Sequence, residues 1–230
     1  MRTFAVLPAL ALALAAHAGA DVPRERMSLS ASASAEVVRD VLGVSFSTTR
    51  EGVEAAAVQA ALKQALDAAL AEARKVAKPG QVDVQTGGFS LYPRNDPKTG
   101  KINGWQGSAE LQVEGRDAAT IAQLTGRINT LTIARVGYSL SRESREKAEA
   151  DITAQAIARY RAKAAEYAKL FGYGSYVVGE VNIASDEASA PRPMMAMRML
   201  KAESADAALP TEAGKATVTV SVNGSVQLTK

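Results

Sequence analysis

The sequence predicts an α+β protein: a mixed, largely antiparallel sheet covered in two layers by two long helices and one short helix. Three observations carry this. Apolar residues alternate with polar ones from Leu29 to Val37 and from Val218 to Leu228, the period of half-buried strands. They recur every three or four positions over 52–77, the period of a helix with one buried face, and a second long helix over 143–171 is bounded by Ser141 and Gly172. Turn-forming clusters separate these runs, and strands mixed with helices in this order build a two-layer domain.

Along the chain, Leu29, Ala31, Ala33, Ala35 and Val37 line one face of a first strand, and Leu42, Val44 and Phe46 continue as a second after a break at Arg39-Asp40. Val58, Leu62, Ala65, Ala69, Ala73 and Val76 mark the buried stripe of an Ala-rich helix, stopped by Lys78-Pro79-Gly80. A hairpin follows. Phe89 and Leu91 alternate toward Pro93, Asn95 to Gly100 turns the chain, and Trp105, Gly107, Ala109, Leu111 and Val113 alternate back. Phe89 and Trp105 read as an aromatic pair packed into the core. Asp117 caps a short helix over 118–126, because its carboxylate can accept the free amides of the first turn. A strand at 133–140 leads to Ser141, the expected N-cap of the longest helix, with Glu143 in its first turn and Gly172 as its left-handed stop. Val177, Gly179, Val181 and Ile183 form another strand.

Residues 186–214 lack any period and hold Pro191, Pro193 and Pro210, so they are expected to form a long exposed loop. In the last segment Asn223-Gly224 invites a tight hairpin, but the phase opposes one. Val218, Val220, Val222, Gly224, Val226 and Leu228 are all even-numbered, so one continuous strand keeps every valine on one face. A strand so rich in valine is expected at the centre of the sheet.

The first twenty residues set an address. Arg2, an apolar run from Phe4 to Ala16 and the small-x-small steps Ala16-His17-Ala18 and Ala18-Gly19-Ala20 match a cleaved secretory signal, too short to span a bilayer. The expected mature chain is a single domain over 21–230, exported to the periplasm, with no transmembrane segment. Loss of residues 1–20 removes the only histidine, His17, and the chain holds no Cys. Ser-His-Asp and Cys-His nucleophiles, imidazole or thiolate zinc sites and disulfides are therefore excluded from the mature chain. Charges are interspersed, so no basic block follows a phosphate backbone and no nucleic-acid partner is expected.

The order of elements resembles the SIMPL-domain family of bacterial envelope proteins. The resemblance rests on residues 30–52, 88–117, 156–174 and 210–222, most specifically on Tyr92-Pro93-Arg94 and on Ala158-x-x-x-x-Lys163-Ala164 running to Phe171-Gly172. The chain departs from the family in carrying Ala31, Ala33 and Ala35 where Gly is usual, which bears on local packing. The resemblance implies a protein of the periplasm or outer-membrane periphery that oligomerises and is associated with tolerance of oxidative or envelope stress. It supplies no catalytic residues and no cofactor.

Two motifs bear on chemistry. Ser144-Arg145-Glu146-Lys147 and Lys98-Thr99-Gly100 match two of three motifs of penicillin-recognising enzymes, but in reversed order, with the second in a turn and the third missing. A structural reading prevails, and no catalytic residue is assigned. Met194, Met195, Met197 and Met199 cluster in the long loop. Their thioethers suit packing on a second subunit, soft coordination of Cu(I), or sacrificial oxidation. The charge run Arg142 to Asp151 fits a solvated helix face or a polar subunit contact. The sequence thus favours a non-enzymatic, self-associating envelope scaffold or interaction module, acting as a homo-oligomer or with an envelope protein partner. The alternative is a periplasmic copper or oxidant buffer acting through the Met loop.

Overall fold

The computed structural model describes residues 25–189 and 210–230. The expected signal at 1–20 and the Met cluster at 194–199 lie outside the described residues. The α+β class holds, with seven strands and three helices among the described residues. Where one sheet was expected there are two, both antiparallel.

The four-stranded sheet has the order β3 (Asp83–Asn95), β4 (Ile102–Gly115), β2 (Val41–Gly52), β5 (Thr132–Ser139). Leu42, Val44 and Phe46 of β2 and Ala109, Leu111 and Val113 of β4 point to one face. Helix α1 (Ala55–Arg74) covers that face with Val58, Leu62, Ala65, Leu66, Ala69 and Ala73. The short helix α2 (Ala118–Arg127) adds Ile121 and Leu124. Burial of each large side chain in this cluster contributes about 1.5–3 kcal/mol. α1 starts three residues later than its apolar period suggested. Glu51 and Gly52 still pair with Gln106 and Trp105, and Glu54 remains extended at φ −105°, ψ 126°. Val76 falls beyond the helix and is only partly buried, whereas Leu66 joins the core.

The three-stranded sheet has the order β1 (Arg26–Val38), β7 (Lys215–Thr229), β6 (Ser175–Ser189). β7 is one strand through Asn223-Gly224 and lies at the centre, as the phase of its valines required. Asn223 pairs with Ser30 on one side and Asn182 on the other, with no turn. Helix α3 (Arg142–Leu170) lies on this sheet through a single row, Ile152, Ala156, Tyr160, Ala164 and Ala168, spaced by four. The alanines let the backbone approach the sheet closely, and Tyr160 fills the middle. At its end Gly172 adopts φ +81°, its amide donates to Lys169 O, and the Tyr173 amide donates to Ala168 O. These paired bonds satisfy the last carbonyls of the helix, and glycine alone takes that left-handed step freely.

Two local expectations are corrected. The irregular loop does not begin at Asp186: β6 runs to Ser189, because Asp186 to Ser189 pair with Thr219 to Ala216 of β7. Pairing along a preformed edge overrides the lost alternation. Phe89 and Trp105 do not face each other either. Phe89 pairs with Ala109 and is 44% exposed, while Trp105 lies opposite Pro93 and Gly52, partly buried against the α1 core. The hairpin turn sets a register that parity alone does not reveal.

Every substantial helix–strand contact falls within one sheet and its own helices. The four-stranded unit, from Val41 to Ser139, is thus inserted between β1 and α3 of the other. The chain crosses between the units twice, at Arg39-Asp40 and at Leu140-Ser141.

Candidate functional site

Both crossings meet in one polar cluster, the richest among the described residues. Asp40 Oδ1 accepts from the Ser141 amide at 2.7 Å, and Oδ2 accepts from the hydroxyls of Ser141 and Ser144, each at 2.7 Å. Ser141 caps α3 as expected, its Oγ accepting from the Ser144 amide at 3.1 Å. Arg116, just past β4, donates through Nη2 to Ser141 Oγ at 2.9 Å and to Glu143 at 2.8 Å, with Nε 3.5 Å from Asp40. A serine hydroxyl has one proton to give and two lone pairs. Ser141 uses all three.

Partial burial pushes the Asp40 carboxyl upward, but the hydrogen bonds from the Ser141 amide and from both hydroxyls outweigh it, so its pKa falls below the ordinary value. A carboxylate held charged in this way is a weaker base than a free one. The Arg116 guanidinium is held in its charged form chiefly by its bond to Glu143. This chemistry joins and caps the two crossings.

The cluster contains Ser144 of the Ser-x-x-Lys motif. The Ser144 proton is directed at Asp40, and Lys98-Thr99-Gly100 forms the β3–β4 turn, at the opposite end of β4 from Arg116. The two motifs are not brought together. The charge run on α3 is exposed at all of its charged residues except the half-buried Glu149, the solvated face expected: Arg142 pairs with Glu146 at helical spacing, while Arg145 reaches Glu187 on β6 and Glu143 reaches Arg116. Asp40 was the residue that sequence reasoning missed. Its position at a break between strands marks it as a linker, and nothing local announces a partner 101 residues away.

An open groove beside the cluster is lined by Asp83, Glu114, Arg116, Glu143 and Glu146. Among the described residues, no three carboxylate, histidine or cysteine side chains converge on a point that holds a metal ion. A second shallow groove crosses the outer face of the four-stranded sheet, where Gly43 pairs with Gly137 between Glu114 and Arg135. Two buried side-chain atoms, Arg39 Nε and Tyr160 OH, find no hydrogen-bond partner among the described residues.

Fold and cluster together define a class: an antiparallel α+β protein of two sheet-and-helix units, with a polar cluster where the chain crosses between them. The chain belongs to the SIMPL family, whose family model, described as a protein of unknown function (DUF541), matches residues 27–226. Among curated proteins, none matches the chain. Among the described residues no helix is long and apolar enough to cross a membrane.

Proposed function

We propose that the chain is an exported, non-enzymatic envelope protein that works as a self-associating scaffold or interaction module, linked to oxidative or envelope stress tolerance. One observation carries the self-association. Val177, Val178, Val181 and Ile183 on β6 are 59%, 46%, 37% and 48% exposed. Val178, Val181 and Ile183 lie opposite Val226, Gly224 and Val222, on the face that α3 covers for β7. The helix lies over β1 and β7 and barely reaches β6. Core-type side chains are left in water, and contiguous apolar surface of this kind marks a contact site. The leader-like residues 1–20 support export to the periplasm, and the stress role rests on the family resemblance.

Size-exclusion chromatography with light scattering on the chain from Asp21 tests the scaffold reading. An oligomer at micromolar concentration is expected, and a strict monomer would overturn it. A copper or oxidant buffer remains the second reading, favoured by four thioethers within six positions, Met194 to Met199. A Cu(I) titration separates the two. Tight binding lost on changing all four Met to Ser establishes the buffer, and no tight binding leaves the scaffold.

A further inference from the structure

We propose that β6 is the edge through which two copies of this chain join, antiparallel and about a two-fold axis near Val181, into one continuous six-stranded sheet. The inference rests on the self-association reading above and names its surface and stoichiometry.

The four sheet edges differ in how they are protected. A free edge offers unpaired amides and carbonyls to any strand, and folded proteins blunt it with proline, charge, bulges or short length. β3 carries Pro93, Arg94 and two bulges. β5 has only eight residues, with Arg135 in the middle and a bulge in its pairing with β2. On β1, the Ser32 carbonyl accepts from Arg159 at 2.9 Å and the Ser30 carbonyl from Lys163 at 3.0 Å, so two α3 cations occupy that edge. β6 has fifteen residues, one bulge between Val178 and Val181, three acidic residues (Glu180, Asp186 and Glu187) and no Pro, Lys or Arg. No side chain among the described residues takes its carbonyls. The three-stranded sheet is therefore closed at β1 and open at β6.

An open edge takes a strand, and charge selects a second copy in antiparallel order. The far end of β6 is acidic, with Asp186 exposed and Glu187 beside Arg145. The near end carries three cations against one carboxylate: Tyr176 OH donates to Arg161 O, Ser175 pairs with Thr229 next to Lys230, and Lys169 closes α3, while Glu25 lies beside Tyr173 and Leu228. Antiparallel pairing sets Asp186 of each copy beside the Arg161, Lys169 and Lys230 end of the other. It also brings the uncovered Val178, Val181 and Ile183 of both copies together on one face. Two like-charge approaches oppose it: Glu180 close to the axis, and Asp186 near the partner's Glu25. Because β1 is occupied, the sheet stops growing after one pairing, which gives a dimer and not a fibre.

The chain has no cysteine, which makes the test clean. Single-Cys variants along 177–185 are expected to form intermolecular disulfides under mild oxidation, with a maximum near position 181, while Ser32→Cys on β1 does not. Ile183→Lys and Val181→Lys, both at exposed positions, are expected to weaken dimerisation by about tenfold or more, the scale of an interface hot spot, with far-UV circular dichroism unchanged. Association that survives both lysine variants overturns the β6 surface and leaves the scaffold reading standing. A monomeric wild type overturns both. Cross-linking through Ser32→Cys overturns the two-fold arrangement. Hydrogen-exchange protection of β6 amides in dilute monomer would assign the edge to the chain's own 190–209 segment and overturn the second copy as its occupant.

Discussion

Asp40 and Ser141 lock together the two places where the chain passes between its units. Oδ1 of Asp40 takes the Ser141 amide and Oδ2 its hydroxyl, both at 2.7 Å, while the Asp40 amide donates to Ser139 O at 3.1 Å. One carboxylate thus holds the serine that caps a 29-residue helix and ties together a double crossing. Asp40→Ala is expected to destabilise the protein by about 1–3 kcal/mol, because the Ser141 amide and the Ser141 and Ser144 hydroxyls lose a charged acceptor, measured by urea unfolding. The sign with pH follows from the lowered carboxyl pKa. The stabilisation is complete above the ordinary value of 3.8 and is lost as pH falls through the lower folded value. The unfolding midpoints of wild type and Asp40→Ala should therefore converge in strong acid and separate above it. A constant gap at every pH would show that the charge does not matter.

Gly224 is a packing requirement. A Cβ there would lie 2.6 Å from Glu180 O and 2.9 Å from Tyr160 OH. Gly224→Ala is expected to cost about 1–3 kcal/mol, the range for overfilling a packed interior. Gly214→Ala, where a Cβ meets nothing within 4 Å, is the matched control and should be near neutral. Thermal melts of the two variants suffice, and equal effects would refute the argument.

Tyr160 is fully buried against β7, yet its hydroxyl has no partner among the described residues. Burial also raises its pKa, with a smaller contribution from Tyr176. Tyr160→Phe removes a polar atom that lost its water on folding, so it is expected to be neutral or to stabilise by about 1 kcal/mol. Tyr160→Ala is expected to cost about 3–5 kcal/mol through the cavity it leaves. Chemical denaturation distinguishes these, and a clear loss in Tyr160→Phe would reveal a hydrogen bond.

The two units hold separate apolar clusters, one around Phe46 and Leu62, the other around Tyr160 and Val220. Units with separate cores open separately. Phe46→Ala should accelerate amide exchange in β2, β4 and α1 and leave β7 and α3 protected. Uniform acceleration across both would show a single cooperative unit.

Intact-mass measurement of exported protein is expected to show Gly19 or Asp21 as the mature N-terminus, with Asp21 favoured because Ala18-Gly19-Ala20 precedes it. Retention of residues 1–20 would overturn export by a cleaved leader.

What the sequence by itself determined were features with a local cause. The alternation of even-numbered valines kept β7 straight through Asn223-Gly224, because a one-residue change of phase would turn every valine outward. Asp117 and Ser141 were readable as caps because their partners, Thr120 and Ser144, lie three residues on. Gly172 was readable as a stop for the same reason. Tertiary structure decided what depends on distant partners. It divided the strands between two sheets, held Asp186 to Ser189 as strand against β7, and separated Phe89 from Trp105. It also gave Asp40 a role that its neighbours do not show. The physical reason is range. Side-chain period and capping act over two to four residues, whereas sheet membership, register and the closing of a polar cluster depend on which segments meet after the chain has folded back. Those meetings are chosen by the sum of all buried surfaces, which no single stretch of sequence displays.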